Sequence, residues 1–300
     1  MKESPEGIQL TIVEGGRFDI WRAQDAGFCF GVERAVKLAQ DAAARFGKVF
    51  SLGPLIHNRE VVESLATEGI YVAETLDDVN EAAVIARSHG LPPDVLDAAK
   101  RRGITIIDGT CPFVKKAQDY AALLRKDGYY IVIVGNAEHP EVKALLGFSG
   151  PEAQIVGADC EVELPEGVQR VGVIAQTTER IRVFSQVVAS VAAKSKEVRV
   201  FNTVCDSALS RRANTLKLAE ICDVVVVVGG RHSANTKQLA GVSQHYGTET
   251  HHIERPEELE RSWFDRPRSV GVTVGASTPV WITSAVVERL KEFSLLPATS

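Results

Sequence analysis

The chain has 300 residues, 45% of them apolar, with 34 Lys and Arg against 39 Asp and Glu for a formal net charge of −5. That length and apolar content suffice to bury a core in two or three compact units, and the interspersed charges (Glu33, Arg34, Lys37, Asp41, Arg45) form no aromatic-studded basic stripe, so nucleic acid is not an expected partner. The longest apolar runs, Tyr129 to Val134 and Val224 to Val228, are strand-length and far short of the roughly 20 residues a membrane helix needs. Met1 to Gly16 carries Glu3, Glu6 and Glu14 and lacks the basic start and apolar core of a leader, so a cytoplasmic protein with no membrane partner is expected.

In chain order, Phe18 to Arg22 reads as a strand leading to Cys29. A helical pattern then runs to a strand that ends at Gly53, and Ala83 to Ala86 is a further strand ending at Arg87-Ser88-His89. The pattern returns: Ile104 to Ile107 leads to Cys111, Val114 to Arg125 is helical, Ile131 to Val134 runs into Gly135, and Val171 to Ala175 ends at Gln176-Thr177-Thr178. It returns again with Val198 to Phe201 before Cys205, a helix around Ala213 to Ala219, Val224 to Gly229, and Val270 to Val274 ending at Gly275-Ala276-Ser277. Such alternation predicts βαβ units with parallel sheets, an α/β fold in which polar groups stand just past the carboxyl ends of strands, where open sheets bind ligands. The expected boundaries fall at the cysteines, giving units at 27–111, 112–203 and 204–292. The strand near 17–26 should pair with the last unit, and the tail after Leu290 reads as a frayed end.

One spacing recurs three times: a cysteine, a glycine 24 residues on, and a hydrogen-bonding side chain 28 residues on. The triplets are Cys29, Gly53, His57; Cys111, Gly135, His139; and Cys205, Gly229, Ser233. A repeated supersecondary unit brings equivalent positions toward a pseudo-threefold axis, and three thiolates meeting there suit a cubane iron–sulfur cluster with one iron lacking a thiolate. Zinc is the competing reading, but catalytic zinc mixes His or carboxylate with fewer thiolates, and three thiolates make it a poor Lewis acid. Cys160 and Cys222 fall outside the register and read as a small buried hydrophobe or an incidental thiol.

Register also collects His57, His139 and Ser233 as one polar ring and His89, Thr177 and Ser277, at strand ends, as a second. Two residues beyond the first ring stand Arg59, Glu141 and Asn235. A carboxyl group among imidazoles and hydroxyls is a natural proton donor, and neutral donors with helix N-termini hold a phosphate without any Lys. The plainer readings stand beside these. Glu141 after Pro140 equally suits a helix start, Thr177, Ser233 and Ser277 suit helix caps, and His232, His245, His251 and His252 suit surface or structural roles.

The motifs Ala26-Gly-Phe-Cys29-Phe-Gly-Val, Gly53-Pro-Leu-Ile-His57-Asn, Arg87-Ser-His89-Gly, Thr110-Cys111-Pro, Gly135-Asn-Ala-Glu-His139-Pro-Glu141-Val, Gln176-Thr177-Thr, Ser233-Ala-Asn235 and Gly275-Ala-Ser277 run through nearly the whole chain. Together they resemble the 4-hydroxy-3-methylbut-2-enyl diphosphate reductase family, which closes the methylerythritol phosphate route to isoprenoids. The resemblance implies a trefoil of three α/β units around an oxygen-sensitive 4Fe–4S iron–sulfur cluster held by Cys29, Cys111 and Cys205. It implies that His57, His89, His139, Ser233, Asn235 and Ser277 hold the diphosphate while Glu141 and Thr177, beside His139, deliver a proton to the allylic hydroxyl. Products would be isopentenyl and dimethylallyl diphosphate, with electrons from a ferredoxin or flavodoxin-type donor. The third repeat departs from the family pattern: Asp206-Ser207-Ala208 replaces the usual Ala-Thr pair after the cysteine, Arg212 replaces Gln, Ala234 replaces a second Ser, and Val280 replaces an acidic residue. A paralogue reducing a related allylic substrate, a non-catalytic iron–sulfur sensor and an electron-independent hydratase are the alternatives.

Overall fold

The computed structural model describes residues 10–13, 16–80 and 83–297; most of the acidic stretch from Met1 to Gly16 lies outside them. Two strands come first, β1 (Leu10–Val13) and β2 (Asp19–Ala23). One series of elements then runs α1 (Phe30–Phe46), β3 (Val49–Leu52), α2 (Arg59–Thr67), β4 (Ile70–Ala73), β5 (Ala83–Ala86), α3 (Pro93–Arg101) and β6 (Thr105–Asp108). It repeats as α4 (Pro112–Lys126), β7 (Tyr130–Val134), α5 (Pro140–Ser149), β8 (Gln154–Val156), β9 (Arg170–Ala175), α6 (Ile181–Lys194) and β10 (Glu197–Val200). The third run is α7 (Asp206–Ile221), β11 (Val224–Val228), α8 (Ala234–Tyr246), β12 (Glu249–Ile253), β13 (Ser269–Val274) and α9 (Val280–Leu295).

The strands form three sheets with one shared order: β4-β3-β5-β6, β8-β7-β9-β10, and β12-β11-β13-β2, with β1 added at the outer edge of β2. Every neighbouring pair is parallel except β1 with β2. The chain is therefore an α/β protein with three parallel-sheet units. The amino-terminal strand occupies the expected place, with Ile20 of β2 opposite Val270 of β13. In each sheet the repeated glycine closes its strand by donating to the end of the edge strand: Gly53 to Ala73 (2.7 Å), Gly135 to Val156 (2.9 Å) and Gly229 to Ile253 (2.8 Å).

The chain divides into two compact units. One comprises residues 31–56 and 62–205, and carries the two sheets from β3 to β10. Its helices bury the apolar stripe that a 3.6-residue period places on one side, as Val32, Ala35, Val36, Ala39, Ala42 and Ala43 do on α1. The sheet of β7 to β10 packs Ile131, Ile133 and Ile174 against Ala117, Ala121 and Leu124 of α4 and Val142 and Leu145 of α5. The other unit comprises residues up to 30, residues 57–61, and those from 206 on. Its central strand β11 is five consecutive buried valines, the continuous apolar run expected of a parallel strand covered on both faces.

Two sequence expectations are corrected. The tail after Leu290 is not frayed there: α9 continues to Leu295, because Leu290 and Phe293 belong to the core with Phe18 and Phe264, and the buried Ser294 accepts from Arg17 N at its carbonyl (2.8 Å). The third-repeat helix is also longer than Ala213 to Ala219, starting at Asp206, whose carboxylate suits the helix start. No helix among the described residues is long and apolar enough to cross a membrane.

Candidate active site

Each repeat cysteine occupies the same local position. A helix begins at the next residue in all three cases, α1 at Phe30, α4 at Pro112 and α7 at Asp206, and Cys111 is itself the N-cap of α4. The cysteine N–H in turn donates to the carbonyl two residues past the central strand of a sheet: Cys29 to Ala276 (3.0 Å), Cys111 to Ser88 (3.0 Å) and Cys205 to Thr177 (2.8 Å). All three are partly exposed thiols, and Gly31 keeps room over one of them, since a Cβ there would stand 2.4 Å from Cys111 Sγ. Soft sulfur donors are the ligand type an iron–sulfur cluster takes, and Gly31 leaves space over the one at Cys111. The other two thiols stand apart: Cys222 is buried against Leu218 and Ala219, which pushes its thiol up to about 12, and Cys160 lies in a loop with its Sγ near Gln186 Oε1 (3.6 Å).

The carbonyl register revises one expected correspondence. Thr177 is equivalent to Ser88 and Ala276, whereas His89 and Ser277 stand one position further on, with Thr178. Spacing from the strand ends alone groups His89, Thr177 and Ser277. What the repeats share here is a backbone carbonyl, so the side chains above it are free to differ.

Around Thr177 the 31–56 and 62–205 unit gathers several candidate residues. His139 caps α5 and its Nδ1 accepts from Glu141 N (3.2 Å), so the neutral ring carries its proton on Nε2. Pro140 follows at the first helical position, where no N–H is needed. Glu141 is 1% exposed and accepts twice from Thr177, from its N–H at 2.6 Å and its hydroxyl at 2.8 Å. Burial raises its carboxyl to about 7 despite the opposing pull of those two bonds. The His89 ring meets His139 edge-on, centroids 5.3 Å apart.

The other unit holds the remaining candidates. Ser233 caps α8, accepting from Thr236 N at 3.3 Å, which leaves its own hydroxyl proton to donate. Asn235, 4% exposed, has no hydrogen-bond partner among the described residues for either amide atom. Buried polar groups are almost always satisfied, so an amide in this state points to a ligand or water. The Ser277 hydroxyl donates to the His57 carbonyl (3.2 Å), and Gly230 lies so close that a Cβ would stand 2.3 Å from that same oxygen. His251 stacks on Trp263 and contacts Glu249 (2.9 Å), and His252 Nε2 lies 2.8 Å from the Gly229 carbonyl; both are structural.

The family model described as LytB protein matches residues 20–291. A 4-hydroxy-3-methylbut-2-enyl diphosphate reductase of Geobacter sulfurreducens is 43% identical over 275 residues, 92% of this chain and 98% of that one. The protein of the same name from Syntrophotalea carbinolica is 44% identical over 273 residues, 91% and 98% of the two chains. The chain belongs to the LytB family. Among solved structures it is similar to an (E)-4-hydroxy-3-methyl-but-2-enyl diphosphate reductase described as the terminal enzyme of the non-mevalonate pathway, with a TM-score of 0.66 and 39% identity over 90% of this chain and 98% of that one. It also matches the E-1-hydroxy-2-methyl-but-2-enyl-4-diphosphate reductase from Plasmodium falciparum, with a TM-score of 0.85 and 25% identity over 91% and 87% of the chains.

The residues where this LytB chain departs from the pattern have modest local consequences. Ala208 is buried within α7, Arg212 bonds Gln238 of α8, Ala234 is the first residue of α8, and Val280 rests against Gly27, where a Cβ would stand 2.8 Å from its Cγ2. Sequence reasoning missed Ser88 and Ala276 as cysteine anchors because their role is carried by the backbone. The strand-end positions were the available signal.

Proposed function

We propose that this chain removes the allylic hydroxyl of 4-hydroxy-3-methylbut-2-enyl diphosphate, consuming two electrons and two protons and releasing water with isopentenyl and dimethylallyl diphosphate. The observation that carries this reading is the Glu141–Thr177 pair. A carboxyl held near neutrality by burial is a stored proton, and its partner Thr177 also supplies the carbonyl that anchors Cys205. Proton donor and proposed ligand are thus fixed to one loop.

Cys29, Cys111 and Cys205 would hold a 4Fe–4S cluster, which when bound supplies electrons singly and a Lewis-acidic iron toward the substrate hydroxyl. The diphosphate is assigned to His57, His89, His139, Ser233, Asn235 and Ser277. His139 offers Nε2–H because its other nitrogen is engaged at the helix start, Ser233 keeps a hydroxyl proton to give, and Asn235 brings an amide donor with no competing partner. Ser277 must exchange its bond to the His57 carbonyl for one to phosphate. Burial, which disfavours the charged carboxylate, keeps the proton on Glu141 against the pull of its Thr177 bonds; the protonated carboxyl turns the 2.8 Å contact around, donating to Thr177 Oγ, and so passes its proton through that hydroxyl toward the leaving oxygen. Fixing the diphosphate orients the carbon chain and makes proton delivery effectively intramolecular.

The same reading places the protein in the cytoplasm, divides it at 27–111, 112–203 and 204–292, and gives it a ferredoxin or flavodoxin-type electron donor. The test is anaerobic reconstitution with iron and sulfide followed by assay on 4-hydroxy-3-methylbut-2-enyl diphosphate with a strong one-electron reductant. Formation of the two alkenyl diphosphates only with reductant is the expected result. A cluster-replete protein that forms neither would sink the reading, and turnover without reductant would make it a hydratase.

A further inference from the structure

Each helix that starts after a cysteine braces the segment leading to another. On α1, Arg34 donates from one guanidinium nitrogen to the Thr110 carbonyl (2.9 Å) and from another to Asp108 (3.2 Å), both just before Cys111. On α4, Tyr120 stacks flat on Phe201, four residues before Cys205, with centroids 3.9 Å apart and ring planes 4° from parallel. On α7, the 3%-exposed Arg211 donates to the Gly27 carbonyl (2.9 Å) and the Val274 carbonyl (3.1 Å). Gly27 lies two residues before Cys29, and Val274 two residues before Ala276, whose carbonyl receives the Cys29 N–H. Arg211 therefore ties together the two backbone segments between which the Cys29 anchor forms.

From this geometry we infer that Arg211 and Arg34 are positioning residues for individual cluster ligands, Arg211 for Cys29 and Arg34 for Cys111. The guanidinium suits the task because its planar fork presents several N–H donors at fixed separation, so one side chain spans two carbonyls that a lysine ammonium would not hold in the same way. Burying the Arg211 cation is costly without such bonds, which makes the arrangement specific to arginine. The inference rests on reading these cysteines as cluster ligands.

The experiment compares wild type, Arg211→Gln and Arg34→Gln as full-length proteins, anaerobic and stripped of metal, by timed alkylation with iodoacetamide and peptide mass spectrometry. Arg211→Gln should speed modification of Cys29 about tenfold, the scale of one lost hydrogen bond to a charged group, and leave Cys111 at the wild-type rate. Arg34→Gln should do the reverse. With metal restored, each variant should lose its cluster to a chelator faster than wild type. Equal acceleration at both cysteines, no acceleration, or acceleration at the wrong one overturns the inference. Should Arg211→Gln not fold, Arg211→Lys takes the same readout, and the half-buried Arg34 provides the independent arm. Because alkylation is read without metal, a wild type that takes up no cluster defeats the functional reading without altering this test.

Discussion

Among the described residues, the Glu141 carboxylate is held by one partner, accepting from both the N–H (2.6 Å) and the hydroxyl (2.8 Å) of Thr177. Glutamine at 141 would keep a carbonyl oxygen for the Thr177 N–H and an amide to meet the hydroxyl, but would have no proton to give up. Glu141→Gln should therefore retain the fold and the absorbance of the reconstituted cluster while turnover falls by about 10²–10⁴. Near-normal turnover in a cluster-replete Glu141→Gln protein would move the proton source elsewhere.

A buried carboxyl raised from 4.5 to about 7 also makes stability depend on pH. Between those values the unfolded chain gives up the Glu141 proton while the folded chain keeps it. The folded state then binds more protons, so this group makes stability decline as pH rises from about 4.5 to about 7, after which its contribution is level. Denaturant melts of the metal-free wild type should lose stability relative to Glu141→Gln between pH 5 and pH 8, by on the order of 3 kcal/mol at most. Turnover should decline on the alkaline side of about 7 as the donor empties. Parallel stability profiles for the two proteins would show that Glu141 ionises at its ordinary value.

Cys29, Cys111 and Cys205 share a helix start and a strand-end carbonyl, while Cys160 and Cys222 share neither. Serine at any of the first three should abolish the visible absorbance of the reconstituted protein. Cys160→Ser should leave it intact, and so should Cys222→Ser, whose site is packed among apolar residues with a thiol that burial keeps protonated. Full absorbance in Cys111→Ser would remove Cys111 from the ligand set.

How much of this was legible follows from what repeats at the level of side chains. The cysteine and glycine spacings expose the three repeats because a strand-end glycine and a helix-start cysteine are each tied to one backbone position. The strand at Asp19–Ala23 could be assigned to the last sheet because the repeat pattern requires a strand there. The edge strands β4 and β8 escaped notice because they are only four and three residues long, and β12 because Glu249-Thr-His-His-Ile is mostly polar with no alternation to set it apart. The Thr177–Ser88–Ala276 correspondence was hidden because the repeated element is a carbonyl. The braces were hidden for a further reason: Arg34 lies five residues after its cysteine and Arg211 six, and Tyr120 does the same work by stacking, so no residue type or spacing recurs.

Gly31 separates a requirement of the fold from a requirement of the site. It lies in the first turn of α1, where alanine is the better helix former by about 1 kcal/mol, and its backbone is helical, so the substitution introduces no strain of its own. A Cβ at this position would stand 2.4 Å from Cys111 Sγ, closer than real contacts permit, and 3.0 Å from Cys111 Cβ, a tight contact that a small shift relieves. The cheapest relief is rotation of the Cys111 side chain, which turns the thiol away from its present direction and fills the space beside it. Gly31→Ala should thus melt at or above the wild-type temperature when metal-free, yet take up less cluster on reconstitution. A variant with full cluster content would mean that the thiol reaches its ligand position from another rotamer; a variant that is merely less stable, with cluster content falling only in proportion to folded protein, would mean that the glycine serves packing alone.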